Sequence, residues 1–193
     1  ITSGSLGVMG AGLPYSIGVQ IANPDKQVIV IDGDGSFNMT MQDLATIVEH
    51  NLPIKIFIMN DSRQQMVYIW QKLFFDGRII STENKNPDYV ALGKSFGIHS
   101  MLCSNYSEMP QKIKKAIEFD GPVLVECKVL PDICLPLVAP GKALDEMILP
   151  GENIFSKSMT DSKAKDCKSP TCLGFERIDV NTIVSVKSEA INR

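Results

Sequence analysis

Val28-Ile29-Val30-Ile31 runs through Asp32 into Gly33-Asp34-Gly35-Ser36-Phe37, and a second apolar run, Ile54-Lys55-Ile56-Phe57-Ile58-Met59, closes on Asn60-Asp61, with 24 residues between Gly35 and Asn60. Two short β-branched runs separated by a helix-length segment read as a βαβ unit. Such a crossover makes the two strands parallel, so their carboxyl ends lie at the same edge of one sheet. Asp34 and Asp61 then converge at that edge although they are far apart in the chain. Glycines on both sides of Asp34 let backbone come close to a ligand. Paired carboxylate or amide oxygens there suit Mg²⁺, which takes one or two protein oxygens together with substrate phosphates. Asp-Gly and Asn-Asp are also ordinary turn sequences. Their joint placement at two strand ends, where open α/β sheets bind ligands, is what points to a metal-bridged diphosphate.

The flanking segments extend the alternation. A helix is expected over 13–21 behind a glycine-rich loop, with Pro14 in its first turn, and a strand over 27–32. Thr40 followed by Asp43 reads as an N-cap for a helix whose apolar positions Leu44, Ile47 and Val48 share a face, ended by Asn51-Leu52-Pro53. A strand over 54–59 leads to a helix over 64–74. Further on come a helix over 87–96 closed by Gly97, a strand over 98–102, a helix over 107–119 and a strand over 122–129. The fold class is therefore α/β, a mainly parallel open sheet with helices on both faces. From Pro131 the chain is proline-rich and irregular, then polar and Lys/Ser-rich, with one more strand expected over 178–187. The organisation expected is a domain over 1–150 and a polar extension over 151–193 of unassigned role.

Composition narrows the function classes. The 193 residues, 44% hydrophobic, suffice for one well-packed domain with an appendage. A net charge of −3 and a pI near 5.4 give no electrostatic case for nucleic acid or an anionic membrane. No apolar run approaches the length needed to span a bilayer, and no signal peptide is visible. Five cysteines without CxxC spacing suit a reduced, intracellular pool, and Cys167 with Cys172 lacks a nearby histidine to complete a metal site. His50 and His99 read as structural. The chain opens inside the glycine-rich segment, so it is expected to be a piece of something longer. Gly4, Gly7, Gly10 and Gly12 could suggest a dinucleotide loop, but no strand precedes them.

Gly33-Asp34-Gly35 followed by Asn60-Asp61 resembles the thiamine diphosphate motif, Gly-Asp-Gly and then Asn-Asn. The stretches from Thr2 to Pro14, Ser36-Phe37-Asn38-Met39-Thr40, Met66 to Phe75 and Leu135 to Ile148 all resemble acetohydroxyacid (acetolactate) synthase. The resemblance covers residues 1–150; the tail has no counterpart.

It implies the diphosphate-binding, C-terminal domain of such an enzyme, requiring thiamine diphosphate and Mg²⁺, with FAD in the full-length protein. The metal ligands implied are Asp34, Asp61 and the backbone carbonyl of Arg63. Gly33, Gly35 and Ser36 would meet the diphosphate, helped by the N-terminus of the Thr40 helix. The Gly7 loop would meet the aminopyrimidine, with Met9 beneath the thiazolium ring and Met66 also against the cofactor. From spacing alone Met66 and Trp70, four apart on one helix face, read more readily as core; the resemblance reverses this, and they would meet substrate, Trp70 contacting the second 2-ketoacid.

The activity implied is decarboxylation of pyruvate and its joining to a second 2-ketoacid. No catalytic residue is assigned to this chain, because the activating glutamate of the family lies on the pyrimidine-binding domain of the same or a partner subunit. Homo-oligomerisation and a regulatory subunit belong to the same expectation, as does a cytoplasmic or organellar setting. The alternatives are another thiamine diphosphate-dependent decarboxylase, oxidase or carboligase, or a non-catalytic Mg²⁺-diphosphate module. Asp61 stands where the family has Asn, and Gln65 where it has Gly. Apolar surface is expected on the loop 6–13 and the helix 66–75.

Overall fold

The computed structural model describes residues 1–131, 137–138, 141–143 and 145–148. The extension over 151–193, its expected strand, and Cys134, Cys167 and Cys172 lie outside the described residues. The main sheet has four strands, β1 (Ile29–Gly33), β2 (Lys55–Asn60), β3 (His99–Cys103) and β4 (Val123–Lys128), in the order β1-β2-β4-β3, all parallel. Six helices accompany them: α1 (Gly12–Ala22), α2 (Asp34–Phe37), α3 (Leu44–Glu49), α4 (Gln65–Phe74), α5 (Tyr89–Ser95) and α6 (Met109–Glu118).

The expected βαβ unit is present: β1 pairs with β2 from Ile29 opposite Lys55 to Gly33 opposite Met59. Asp34, directly after β1, and Asn60, the last residue of β2, therefore lie at adjacent strand ends. Strand alternation sorts the core into two layers. On one face Val28, Val30, Ile54, Ile56, Ile58 and Leu124 pack with Leu13, Leu44, Ile47 and Tyr89 from the helices. On the other, Phe57, Val123, Val125, Cys103 and Cys127 pack with Ala116 and Ile113 of α6. Ile29 and Ile31 remain exposed at the β1 edge.

Three expectations are corrected. Thr40 does not cap a helix with its side chain; its hydroxyl donates to the Gly10 carbonyl at 3.0 Å, and a 3-10 turn over Met41–Asp43 leads into the short α3. The helix that begins at the motif is instead α2, starting on Asp34 itself, where only a glycine turn was expected. Beyond Pro131, read as irregular, Leu137–Val138 and Met147–Ile148 form a short antiparallel pair. The remaining boundaries move by one to a few residues. α5 begins at Tyr89 because Asp88 caps it, accepting from the Ala91 amide at 2.9 Å, and Gly97, at φ +81°, takes the left-handed turn that ends it.

Candidate functional site

The side chains that continue the first core face toward the carboxyl edge change from apolar to polar together. Val28 and Val30 are followed by Asp32, Ile54, Ile56 and Ile58 by Asn60, and Leu124 by Glu126. Asp34, Asn60 and Glu126 are all buried. Buried polar groups must be hydrogen-bonded, and these are. The Asn60 side chain donates to Glu126 at 2.7 Å and accepts from the Ser62 amide and hydroxyl at 3.0 and 3.2 Å and from Asn86 at 2.9 Å. Asn86 and Asn84 both donate to Oδ2 of Asp34.

Residues 62–64 hold this arrangement. Ser62 adopts a left-handed φ of +60°, and the Asp61 carboxylate accepts from the Arg63 amide at 3.0 Å, closing a turn characteristic of Asp and Asn. The turn pairs antiparallel with residues 82–84: Gln64 N–H donates to Thr82 at 2.8 Å, Asn84 N–H to Ser62 at 2.7 Å, and Arg63 bridges Glu83. That pairing delivers Asn84 and Asn86 to Asp34. The Arg63 guanidinium is occupied elsewhere, 4.2 Å from the Tyr68 ring centroid and near Glu83.

The electrostatics favour a cation. Burial holds the Asp61 carboxyl above its ordinary range, with the charge of Asp34 adding to the effect and the Arg63 amide and guanidinium opposing it. Two carboxylates close enough to repel share an edge, and a dication would relieve both costs. Among the described residues no group of three His, Cys, Asp or Glu side chains could hold a metal alone. This donor set fits Mg²⁺, which completes its shell with backbone, ligand and water oxygens. Gly35 fits a close approach for a second reason: a Cβ there would lie 2.7–2.9 Å from the end of the Gln64 side chain.

The glycine-rich loop is fastened to the same segment. Gly10, at φ +76°, donates its N–H to Ser36 Oγ at 2.8 Å and gives its carbonyl to Thr40. The Ser36 hydroxyl also steadies the Asp32 carboxylate, whose pKa burial raises. Ser36, expected to serve a diphosphate, is thus engaged within the protein. Gly7 closes the 3-10 turn Gly4–Leu6 in the left-handed region, with open space where a side chain would be, and Met9 is exposed.

Met66 and Trp70 lie on α4, and both are exposed, Trp70 by 36%; Ile69 is the residue of that helix that enters the interior. This removes the core reading of the pair. Trp70 packs edge-to-face on Phe74, with centroids 5.2 Å apart. The apolar surface expected on the two segments is present at Leu6, Val8 and Met9 and at Met66, Val67 and Phe75, whereas Leu13 is fully buried. His50 ends α3, and His99 stacks on Phe119 at 4.5 Å, both structural placements.

Sequence reading missed Asn84, Asn86 and Glu126. Glu126 had a signal, a carboxylate inside the otherwise apolar run Val123-Leu124-Val125-Glu126-Cys127. The asparagines had none, since they fall in a segment without periodicity.

Comparison with known proteins points the same way as this chemistry. The profile of the family described as "Thiamine pyrophosphate enzyme, C-terminal TPP binding domain" matches residues 1–127. The chain is 44% identical over 149 residues to the acetolactate synthase catalytic subunit, mitochondrial, of Saccharomyces cerevisiae, covering 77% of this chain and 22% of that protein. It is 42% identical over 151 residues to the acetolactate synthase large subunit of Porphyra purpurea, covering 77% and 26%. A probable acetolactate synthase large subunit of Methanococcus aeolicus is 40% identical over 149 residues, covering 77% and 25%. The chain thus spans about a quarter of the length of these curated relatives.

Proposed function

Since the chain belongs to the thiamine pyrophosphate enzyme family, as its C-terminal TPP-binding domain, we propose that it is the diphosphate- and Mg²⁺-binding part of an acetohydroxyacid (acetolactate) synthase. The observation that carries this reading is the buried Asp34 at the end of β1, beside the Asn60-Asp61 turn that ends β2. The carboxylates of Asp34 and Asp61 and the carbonyl of Arg63 bind Mg²⁺. Gly33, Gly35, the Ser36 backbone amide in the first turn of α2 and the Gly7 loop receive the cofactor, Met9 and Met66 supply apolar contact to it, and Met66 and Trp70 line the place of the acceptor ketoacid. When bound, thiamine diphosphate supplies the electron sink that lets a 2-ketoacid lose CO₂ and attack a second one.

The residues of this chain bind and orient; the proton-moving glutamate belongs to a pyrimidine-binding domain, in the same or a partner subunit. A homo-oligomer, a regulatory subunit and FAD in the full-length enzyme complete the assembly we infer. Among the described residues no helix is long and apolar enough to cross a membrane, and we place the enzyme in the cytoplasm or an organelle matrix. The test is product analysis of the full-length protein with pyruvate, Mg²⁺ and thiamine diphosphate. Acetolactate is expected; acetaldehyde or acetyl phosphate would reassign it within the family, and cofactor binding without turnover would make it a binding module.

A further inference from the structure

We propose that Glu126 is a positioning residue for the metal-binding carboxylate, acting through Asn60 and Asn86 to decide which oxygen of Asp34 is offered to the cation; this rests on the proposed Mg²⁺ role of Asp34. Glu126 is 4% exposed, on a central strand, and does not touch the Asp34 carboxylate by any hydrogen bond described. A buried carboxylate is costly unless its oxygens are well partnered. One partner, Lys128, lies two residues along the same strand and is half exposed. The other is the Asn60 amide at 2.7 Å.

The chemistry of the donors makes this chain directional. An ionised carboxylate only accepts, so the Asn60 NH₂ must face Glu126 and its carbonyl oxygen must face away. That oxygen accepts from Ser62 and from the Asn86 NH₂. Asn86 then spends its amide hydrogens on Asn60 Oδ1 and on Asp34 Oδ2. The Asn86 oxygen accepts from Asn38 at 2.9 Å, and the Asn38 oxygen accepts from the fully buried Tyr89 hydroxyl at 2.8 Å. Every hydrogen bond from Tyr89 through Asn38, Asn86 and Asn60 points toward Glu126. Bonds aligned in this way polarise one another.

The branch to Asp34 is the functional product of this order. Asn84 and Asn86 both donate to Oδ2, and neither amide takes Oδ1. With Oδ2 committed to the amides, Oδ1 is the oxygen left for the cation. Without the carboxylate at Glu126, the orientation of the Asn60 amide rests on the Ser62 amide and hydroxyl alone. A reversed Asn60 would point its NH₂ at that of Asn86, disturb the Asn86 bond to Asp34 and leave Asn84 as the remaining amide on Oδ2.

The experiment is a double-mutant cycle on Mg²⁺ affinity, measured calorimetrically in the full-length protein at saturating thiamine diphosphate. Glu126→Gln and Asn86→Ala are each expected to raise the Mg²⁺ Kd about fivefold or more, and the double variant is expected to be no worse than Asn86→Ala alone. A merely structural Glu126 would lower the melting temperature without this loss of additivity. Should Glu126→Gln not give soluble protein, Glu126→Asp takes its place, since it keeps the charge beside Lys128 but withdraws the acceptor from Asn60. An unchanged Mg²⁺ Kd in the Glu126 variant, or effects that simply add, would overturn the relay. Failure of the underlying reading has a separate signature: Asp34→Ala would then leave Mg²⁺-dependent cofactor binding intact.

Discussion

Strand β2 carries a buried polar side chain at each end, and the two ends treat it in opposite ways. At the amino end Lys55 is 2% exposed, and its ammonium donates to the carbonyls of Phe119 and Gly121, the residues that return the chain from α6 to β4. That charge is consumed inside the protein. At the carboxyl end Asn60 links Glu126 to Asn86 and so to Asp34, while Asp61 lies near enough to Asp34 to feel its charge. Here carboxylates accumulate and the neighbouring side chains are mostly neutral amides. A buried charge that closes on backbone stabilises the fold, whereas buried charges of one sign held side by side await a ligand.

The sharpest way to break this contrast is Asp34→Ala in the full-length protein. Mg²⁺-dependent thiamine diphosphate affinity should fall by about a hundredfold or more, since a charged ligand to the metal is lost, and calorimetry reads it directly. Retained affinity would make the carboxyl edge as structural as the amino edge. Lys55→Met is the converse. It keeps the apolar stem and removes two charged hydrogen bonds, so unfolding should become easier by about 2–4 kcal/mol. Cofactor affinity per folded molecule should stay as it was, and denaturant titration with calorimetry separates the two readouts.

Asp61→Asn should be milder, changing Mg²⁺ affinity by less than about tenfold, because an amide oxygen also coordinates. Its larger signature is in pH. Burial first, and Asp34 second, raise the Asp61 pKa above 3.8. The folded apo protein therefore holds that proton more tightly than the unfolded chain, and its stability falls as pH rises through the window from 3.8 to the raised value. Mg²⁺ needs the ionised form, so affinity should climb over the same window and level off above it. In Asp61→Asn this part of the pH dependence should vanish.

The smallest effect lies at the carboxyl end on the other face of the sheet, where Cys103 and Cys127 face each other across β3 and β4. Burial raises both thiols, that of Cys127 to about 12 from 9.0. The unfolded chain loses these protons first, so stability should decline as pH rises from 9.0 toward about 12. Alkylation of the native protein at neutral pH should be slow, and rapid labelling of both thiols would contradict their burial.

How much of this was legible in the sequence follows from the range of the interactions. The βαβ unit and the convergence of Asp34 with the Asn60-Asp61 turn were readable, because strand periodicity and the parallel crossover are local rules. The exposed Met66 and Trp70 were on one helix face as their spacing required, but spacing alone could not say which way the face turned. Helix α2 was not readable, since Gly-Asp-Gly is poor helix sequence and the segment is held by Gly10 from another loop. Lys55 and Glu126 interrupt apolar runs without revealing why. Their partners lie 64 to 66 residues away in the chain. Thr40 shows the reverse error: its local capping pattern was plausible, and a tertiary contact to Gly10 took the hydroxyl instead.

The double fastening of Gly10 also bears on the order in which the molecule comes apart. Its amide and its carbonyl are tied to Ser36 and Thr40, 26 and 30 residues further on, so the loop can dock only after α1 and β1 are in place. Around that point Leu6, Val8 and Met9 stay exposed and contribute little to holding it. A segment secured by two hydrogen bonds over such a span should open as a unit, well below the free energy that unfolds the sheet. Hydrogen exchange should show the Gly10 amide exchanging early while those of β2 persist, which would mark this loop as the first margin of the domain to open.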